Sequence, residues 1–317
     1  MRDVSPPSEL IARQAASALW LGRYMERIES LARLLDVTRT FAADPSAWEA
    51  VTRINDDTER FAAAHPEPDD ASVARFYLLD TANPTSIQVS ITMARENART
   101  LRALISTEMW LQINVFHVRI CALTDRDLEP DRLSATLTML KEGTQAHIGI
   151  AEGTLYRDQV WHFYRIGCFL ERADQTTRVL DTRFHKPPDG LPDSEREGSH
   201  WHTLLRALAG YHAYRRLYPQ GYRPDEVAGF LLSDTAFPRS VGLNLAQLGW
   251  HLTRLRTDHR VRGAAVALER VEDLSGMLTP ASVEDLFVRG LSPFLDWMQR
   301  QIAALHNDIV TGICGED

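Results

Sequence analysis

The 317-residue chain is predicted to be all-α: a helical bundle built from two tandem repeats related by a pseudo-two-fold axis. Apolar residues recur every three to four positions almost throughout, and no run of alternating β-branched residues argues for a strand. Two segments also occur twice. Gly22–Asp36 returns at an offset of 145 residues as Gly167–Asp181, with Gly, Glu, Arg, Arg, Leu and Asp preserved. VARFYLLDTANPTSI (Val73–Ile87) returns at an offset of 154 as VAGFLLSDTAFPRSV (Val227–Val241), with nine of fifteen residues identical. A unit of this length written twice must be recognised before any single helix is interpreted.

The growth in offset has a visible source. HKPPDGLPDSEREGS (His185–Ser199) is a longer Pro- and Gly-rich linker than AADPSA (Ala42–Ala47), and Trp48 and Trp201 each follow their linker. The expected division is residues 1–150 for the first repeat and 151–317 for the second, the two sharing one core. Around Leu21, the residues Leu21, Tyr24, Met25, Ile28, Leu31 and Leu35 fall on one arc at 100° per residue, while Arg23, Glu26, Glu29 and Arg33 fall on the other. Asn83-Pro84, Thr279-Pro280 and Ser292-Pro293 each read as a capping side chain before a helix-starting proline.

Composition narrows the function classes. Hydrophobic residues make up 44% and charged residues 25%, which suffices for a large core. A net charge of −8 argues against a duplex nucleic-acid binder, which needs a basic face to displace counterions. Three cysteines, Cys121, Cys168 and Cys314, lack the spacing of a disulfide framework or a zinc site, so a reducing cytoplasm is expected. MRDVSPPSELIARQ lacks the basic head and apolar stretch of a signal peptide, and no membrane association is expected.

The paired Glu26-Arg27 and Glu171-Arg172 admit two readings. Adjacent helical residues point about 100° apart and do not pair with each other, so each must find a partner elsewhere. One reading has each pair crossing to another helix for structural reasons. The other gathers two carboxylates and two guanidiniums at a shared cleft, with Glu26 and Glu171 as candidate acid and base and Arg27 and Arg172 holding an anionic group. In the repeated DTAxPxS element, Asp80 and Asp234 can satisfy turn amides, and Ser86 and Ser240 can cap the helices that follow; an anion site at the helix N-terminus is the alternative.

Where the halves differ, function has more room. Arg95, Glu96, Asn97 and Arg99 align with Gly249, Trp250, His251 and Thr253, so only the first half carries a basic cluster there. Arg95 and Arg99 lie four apart on one face and can grip one anion, or can belong to a solvated helix surface. There is no P-loop, GxGxxG, HExxH or GxSxG. His200-x-His202 is too closely spaced for one helical face and falls in a linker; neither metal nor cofactor is expected.

LWLGRYMERIESLARLLDV (Leu19–Val37), RENAR (Arg95–Arg99), ISTEMW (Ile105–Trp110) and GTLYRDQVWHFYRIGCFLERADQTTRVLD (Gly153–Asp181), in that order, resemble the bacterial alpha-E family of helical proteins. The resemblance implies an association with circularly permuted ATP-grasp proteins and transglutaminase-like proteins, in making or modifying peptides or other amides. Carried over by position, it marks Glu26, Arg27, Glu171 and Arg172, the polar helix Arg95, Glu96, Asn97 and Arg99, and Arg157 with Trp161. Cys168 departs from the arginine usual there, and Leu111 from a common acid. The leading expectation is an accessory or substrate-presenting subunit for an ATP-grasp amide ligase, acting on an acidic small molecule or peptide. An amide- or acyl-transforming enzyme with a Glu/Arg site between the repeats, and a scaffold or homo-oligomerising module, stand as alternatives.

Overall fold

The computed structural model describes residues 12–41, 46–184, 194–261 and 263–312. The N-terminal segment before Ala12, most of both linkers and Cys314 lie outside them. Among the described residues the regular structure is helical: α1 (Ala12–Phe41), α2 (Ser46–Ile54), α3 (Thr58–Ala64), α4 (Asp70–Leu78), α5 (Ile87–Thr100), α6 (Thr107–Cys121), α7 (Leu133–Thr154), α8 (Gln159–Phe184), α9 (Ser194–Ala207), α10 (Tyr211–Leu217), α11 (Pro224–Leu232), α12 (Val241–Thr257), α13 (Ala264–Gly276), α14 (Pro280–Arg289) and α15 (Leu291–Gly312), with one 3-10 turn at Asp125–Leu128.

Side chains just outside the helices explain where several of them start. The Ser86 hydroxyl accepts from the Val89 amide at 3.3 Å and the Ser240 hydroxyl from the Leu243 amide at 3.1 Å, so the repeated serines cap α5 and α12. Asp80 and Asp234 accept the amides of Ala82 and Ala236 at 2.8 and 2.7 Å, holding the turns before those caps. Only one of the three expected X-Pro caps forms. Thr279 accepts the Ser282 amide at 3.3 Å ahead of Pro280. Asn83-Pro84 instead sits in the turn before Ser86, and Ser292 lies inside α15, where its hydroxyl donates to Asp181 at 2.8 Å.

The helices surround one continuous apolar core. α1 packs along α8; α1 also touches α5 and α7, which both touch α6. Correspondingly, α8 touches α12 and α15, which both touch α13. α1 is therefore covered on most of its circumference, and its polar arc is not a solvent face. Glu26 and Glu29 are 0% and 2% exposed, because that arc turns toward α8 and the loop before α12.

Glycine makes the central contact close. A Cβ on Gly22 would lie 2.2 Å from the Tyr164 carbonyl oxygen, and one on Gly167 would lie 2.0 Å from that of Leu19. Each helix thus admits the other's backbone at the residue that lacks a side chain. The same approach buries Cys168, whose thiol faces the Gly22 carbonyl at 3.8 Å.

A sealed Glu-Arg clamp and an open arginine-tryptophan cleft

The approach at Gly22 and Gly167 sets the next helical turn of each partner side by side, and there the Glu-Arg pairs meet. Arg27 binds Glu171 through two nitrogens, Nε to Oε1 at 2.7 Å and Nη2 to Oε2 at 3.2 Å. Reciprocally, Arg172 binds Glu26. Each pair therefore crosses to the other helix. The Glu171 carboxylate also takes the Arg23 Nε at 2.8 Å. Burial pushes its pKa up, but Arg27 and Arg23 outweigh burial and hold it at about 2.

Glu26 has a different third neighbour, because Cys168 stands in α8 where Arg23 stands in α1. Arg239, the variable position of the second DTAxPxS element, comes within 4.0 Å of Glu26 and binds Glu29 directly. Arg33 closes on Glu29 from the next turn, with Nε at 3.0 Å. Burial raises the Glu29 pKa, and Arg239 and Arg33 more than reverse it. The repeat comparison passed over Arg239 because its counterpart is Thr85, which bonds Asp57 instead. Its position beside a capped helix start was the available signal.

Fixed cations stabilise the Glu171 and Glu29 carboxylates as anions, and both Glu26 and Glu171 are at most 1% exposed. Trp20 lies under the Arg23 guanidinium at 4.9 Å and Tyr24 under that of Arg27 at 5.6 Å, so apolar faces also cover the cations. The Cys168 thiol, buried beside Glu26, is pushed up to about 12.

The Arg95–Arg99 cluster lies on the last turns of α5. Arg95 donates from Nε to Asn114 at 2.8 Å and lies 5.8 Å from the centre of the Trp110 ring. Arg99 donates to Glu96 at 2.9 Å, and Arg95 approaches the same carboxylate at 3.3 Å. The two arginines do grip one anion, and it is their own neighbour. Asn97 beside them is half-buried.

Arg157 and Trp161 stand elsewhere, in a cleft of about 500 Å³ between the start of α8 and the outer half of α12. Asp158 starts α8 by accepting the Val160 amide at 2.9 Å, which sets Arg157 just ahead of the helix and Trp161 in its first turn. The Arg157 guanidinium lies over the Trp161 ring, 3.5 Å from its centre. Arg165, Trp250 and Arg254 complete the walls, with His162 and His251 also lining the cleft. Trp250 and His251 align with Glu96 and Asn97 at the 154-residue sequence offset. The sequence comparison marked that site as unshared but looked only to the first half for function.

His200 and His202 belong to α9, not to a linker; His202 accepts from Arg206 Nε at 2.5 Å and meets the Tyr211 ring edge-to-face. Among the described residues no group of three or more His, Cys, Asp or Glu side chains is arranged to hold a metal ion, and no helix is long and apolar enough to cross a membrane.

The fold and the clamp together define an all-α protein whose two longest core helices are joined by reciprocal Glu-Arg pairs. The chain belongs to the Alpha-E family, described as a predicted alpha-helical domain with a conserved ER motif, which matches residues 10–312. No curated protein and no solved structure matches the chain.

Proposed function

We propose that the chain is a helical module of two tandem repeats, residues 1–150 and 151–317, sharing one core about a pseudo-two-fold axis, and that its Glu-Arg pairs brace a platform rather than perform chemistry. The single observation that carries this reading is the reciprocity of the clamp: Arg27 binds Glu171 while Arg172 binds Glu26. The matching neighbours of α1 and α8 support the repeat reading. An acid or base needs a carboxyl that exchanges protons with substrate near neutral pH, and a buried Glu171 held at about 2 favours the brace.

The partner expected for such a module in this family is a circularly permuted ATP-grasp protein, together with a transglutaminase-like protein, in cytoplasmic peptide or amide synthesis. The module docks the ligase or presents an acidic substrate to it, and self-association is compatible with the same role. Pull-down with an ATP-grasp protein encoded beside it, combined with that enzyme's ATP turnover, tests the reading. A complex that survives Glu26→Gln in a folded variant supports a platform. No complex and no change in turnover would sink it, and a complex whose activity disappears with Glu26→Gln while folding is intact would restore a catalytic role.

A further inference from the structure

We propose that the cleft between α8 and α12 is a ligand site for an anion, a carboxylate or phosphate carried on a flat apolar body. The anion would sit among Arg157, Arg165 and Arg254, and the body against the exposed ring of Trp250. The inference stands independently of the platform reading.

Charge is the first support. Three arginines line the cleft against two acids, Glu152 and Asp258, so one positive charge is in excess in a chain whose net charge is −8. A single carboxylate, Glu152, serves two of the guanidiniums, at 3.1 Å from Arg157 and 2.9 Å from Arg165. Arg254 pairs with Asp258 at 3.0 Å. The Glu152 and Asp258 side chains are almost half exposed, so an incoming anion competes with partners that water already solvates. That contrasts with the clamp at Glu171, where the cations are held by a buried carboxylate.

The second support is the aromatic wall. Trp250 is 49% exposed, and Arg254 lies 5.3 Å from its ring centre. Trp161 is 6% exposed, with Arg157 at 3.5 Å and Arg165 at 5.3 Å from its ring centre. Trp250 offers flat apolar surface next to the Arg254 cation, while the buried Trp161 ring backs the Arg157 and Arg165 guanidiniums. This is the surface that an anion on an apolar body requires.

The floor is polar without being charged. The Nδ1 atoms of His162 and His251 are 2.9 Å apart, so one imidazole donates its Nδ1–H and the other accepts it in the opposite tautomer. Burial, and then the neighbouring His259, push His162 down to about 4. Burial and His162 push His251 down to about 3. At neutral pH the floor therefore adds no cation to the three arginines. The anion's charge is met by guanidinium alone, whose planar fork suits oxyanions that accept two hydrogen bonds side by side, carboxylate or phosphate.

Calorimetric or ligand-observed NMR titration of the full chain tests the proposal, with phenyl phosphate, phenylacetate, inorganic phosphate and the neutral phenylacetamide as probes. The expected result is saturable binding of at least one of the two aryl anions, about tenfold or more tighter than phenylacetamide. The stronger of the two identifies the anion, and weaker binding of inorganic phosphate shows that the apolar body contributes. Arg157→Gln combined with Arg254→Gln, both at half-exposed side chains, should weaken the aryl anion by about tenfold or more while the fold is kept. Arg216→Gln, exposed on α10, should leave it unchanged. Equal affinity for phenylacetamide, loss of nothing in the double variant, or no saturable binding of either aryl anion would overturn the site.

Discussion

Arg27 of α1 and Glu171 of α8, 144 residues apart, are joined by two hydrogen bonds inside the protein, and the equivalent pair runs the other way between Arg172 and Glu26. A carboxylate in that position is committed to its cations. Glu171→Gln should remove the buried negative charge and leave the part-buried Arg23 and Arg27 without their shared counter-ion, at a cost of about 3 kcal/mol. Urea unfolding of the variant measures it, and a loss below 1 kcal/mol would show that the clamp does not hold the helices together.

The helix contact itself depends on two absent side chains. Gly22→Ala and Gly167→Ala each drive a methyl into a backbone carbonyl of the other helix, so each should destabilise by about 1–3 kcal/mol despite the better helix propensity of alanine. Gly149 supplies the contrast, since a Cβ there meets nothing within 4 Å on α7. Gly149→Ala should be neutral or stabilising by up to about 1 kcal/mol. Thermal melts of the three variants give the comparison.

Acid should destabilise the protein in two stages. His147 is buried and held at about 3 by loss of hydration, and His306 at about 4 by burial and by Arg23. Both pKa values lie below the unfolded value near 6.5, so the unfolded chain binds more protons as the pH falls from 6.5, and stability declines from there down to the folded values. Glu171 adds a second loss from about pH 4.5 down to about 2. His147→Gln should flatten the first stage by up to about 1.4 kcal/mol per pH unit, as read by urea midpoints between pH 4 and 7. An unchanged slope would contradict the assignment.

Thiol reactivity should separate the two described cysteines. Cys121 is exposed at the end of α6, with His117 at 3.5 Å, whereas Cys168 is sealed between α1 and α8. In a Cys314→Ser background, one thiol should react with a disulfide reagent in the native protein and the second only on unfolding. Rapid labelling of both would show that the α1–α8 contact opens readily.

The helical class, the serine caps at Ser86 and Ser240, and the turn-holding Asp80 and Asp234 were all legible, because each depends on residues close in sequence. Periodicity also placed Glu26 and Glu29 on a polar arc, correctly, but exposure is a tertiary property. α1 has neighbours on that side too, so the arc became the inside of the protein. The partners of Glu26 come from positions 172 and 239, a relationship that neither spacing nor propensity contains. Likewise the repeat comparison could mark Trp250 and His251 as unshared, yet only the fold brings them beside Arg157 and Trp161. Gly22 and Gly167 were visible as identities; their role appears once two backbones are seen to touch.

Because Gly22 and Gly167 let the two backbones meet directly, the α1–α8 contact is set there mainly by main chain and not by side-chain rotamers. Motion between the two sets of helices would have to break ion pairs or shift main chain, both of which are costly. The backbone contact at Gly22 and Gly167 thus fixes the spacing of α1 and α8 by main chain, which leaves little slack for one helix to shift on the other.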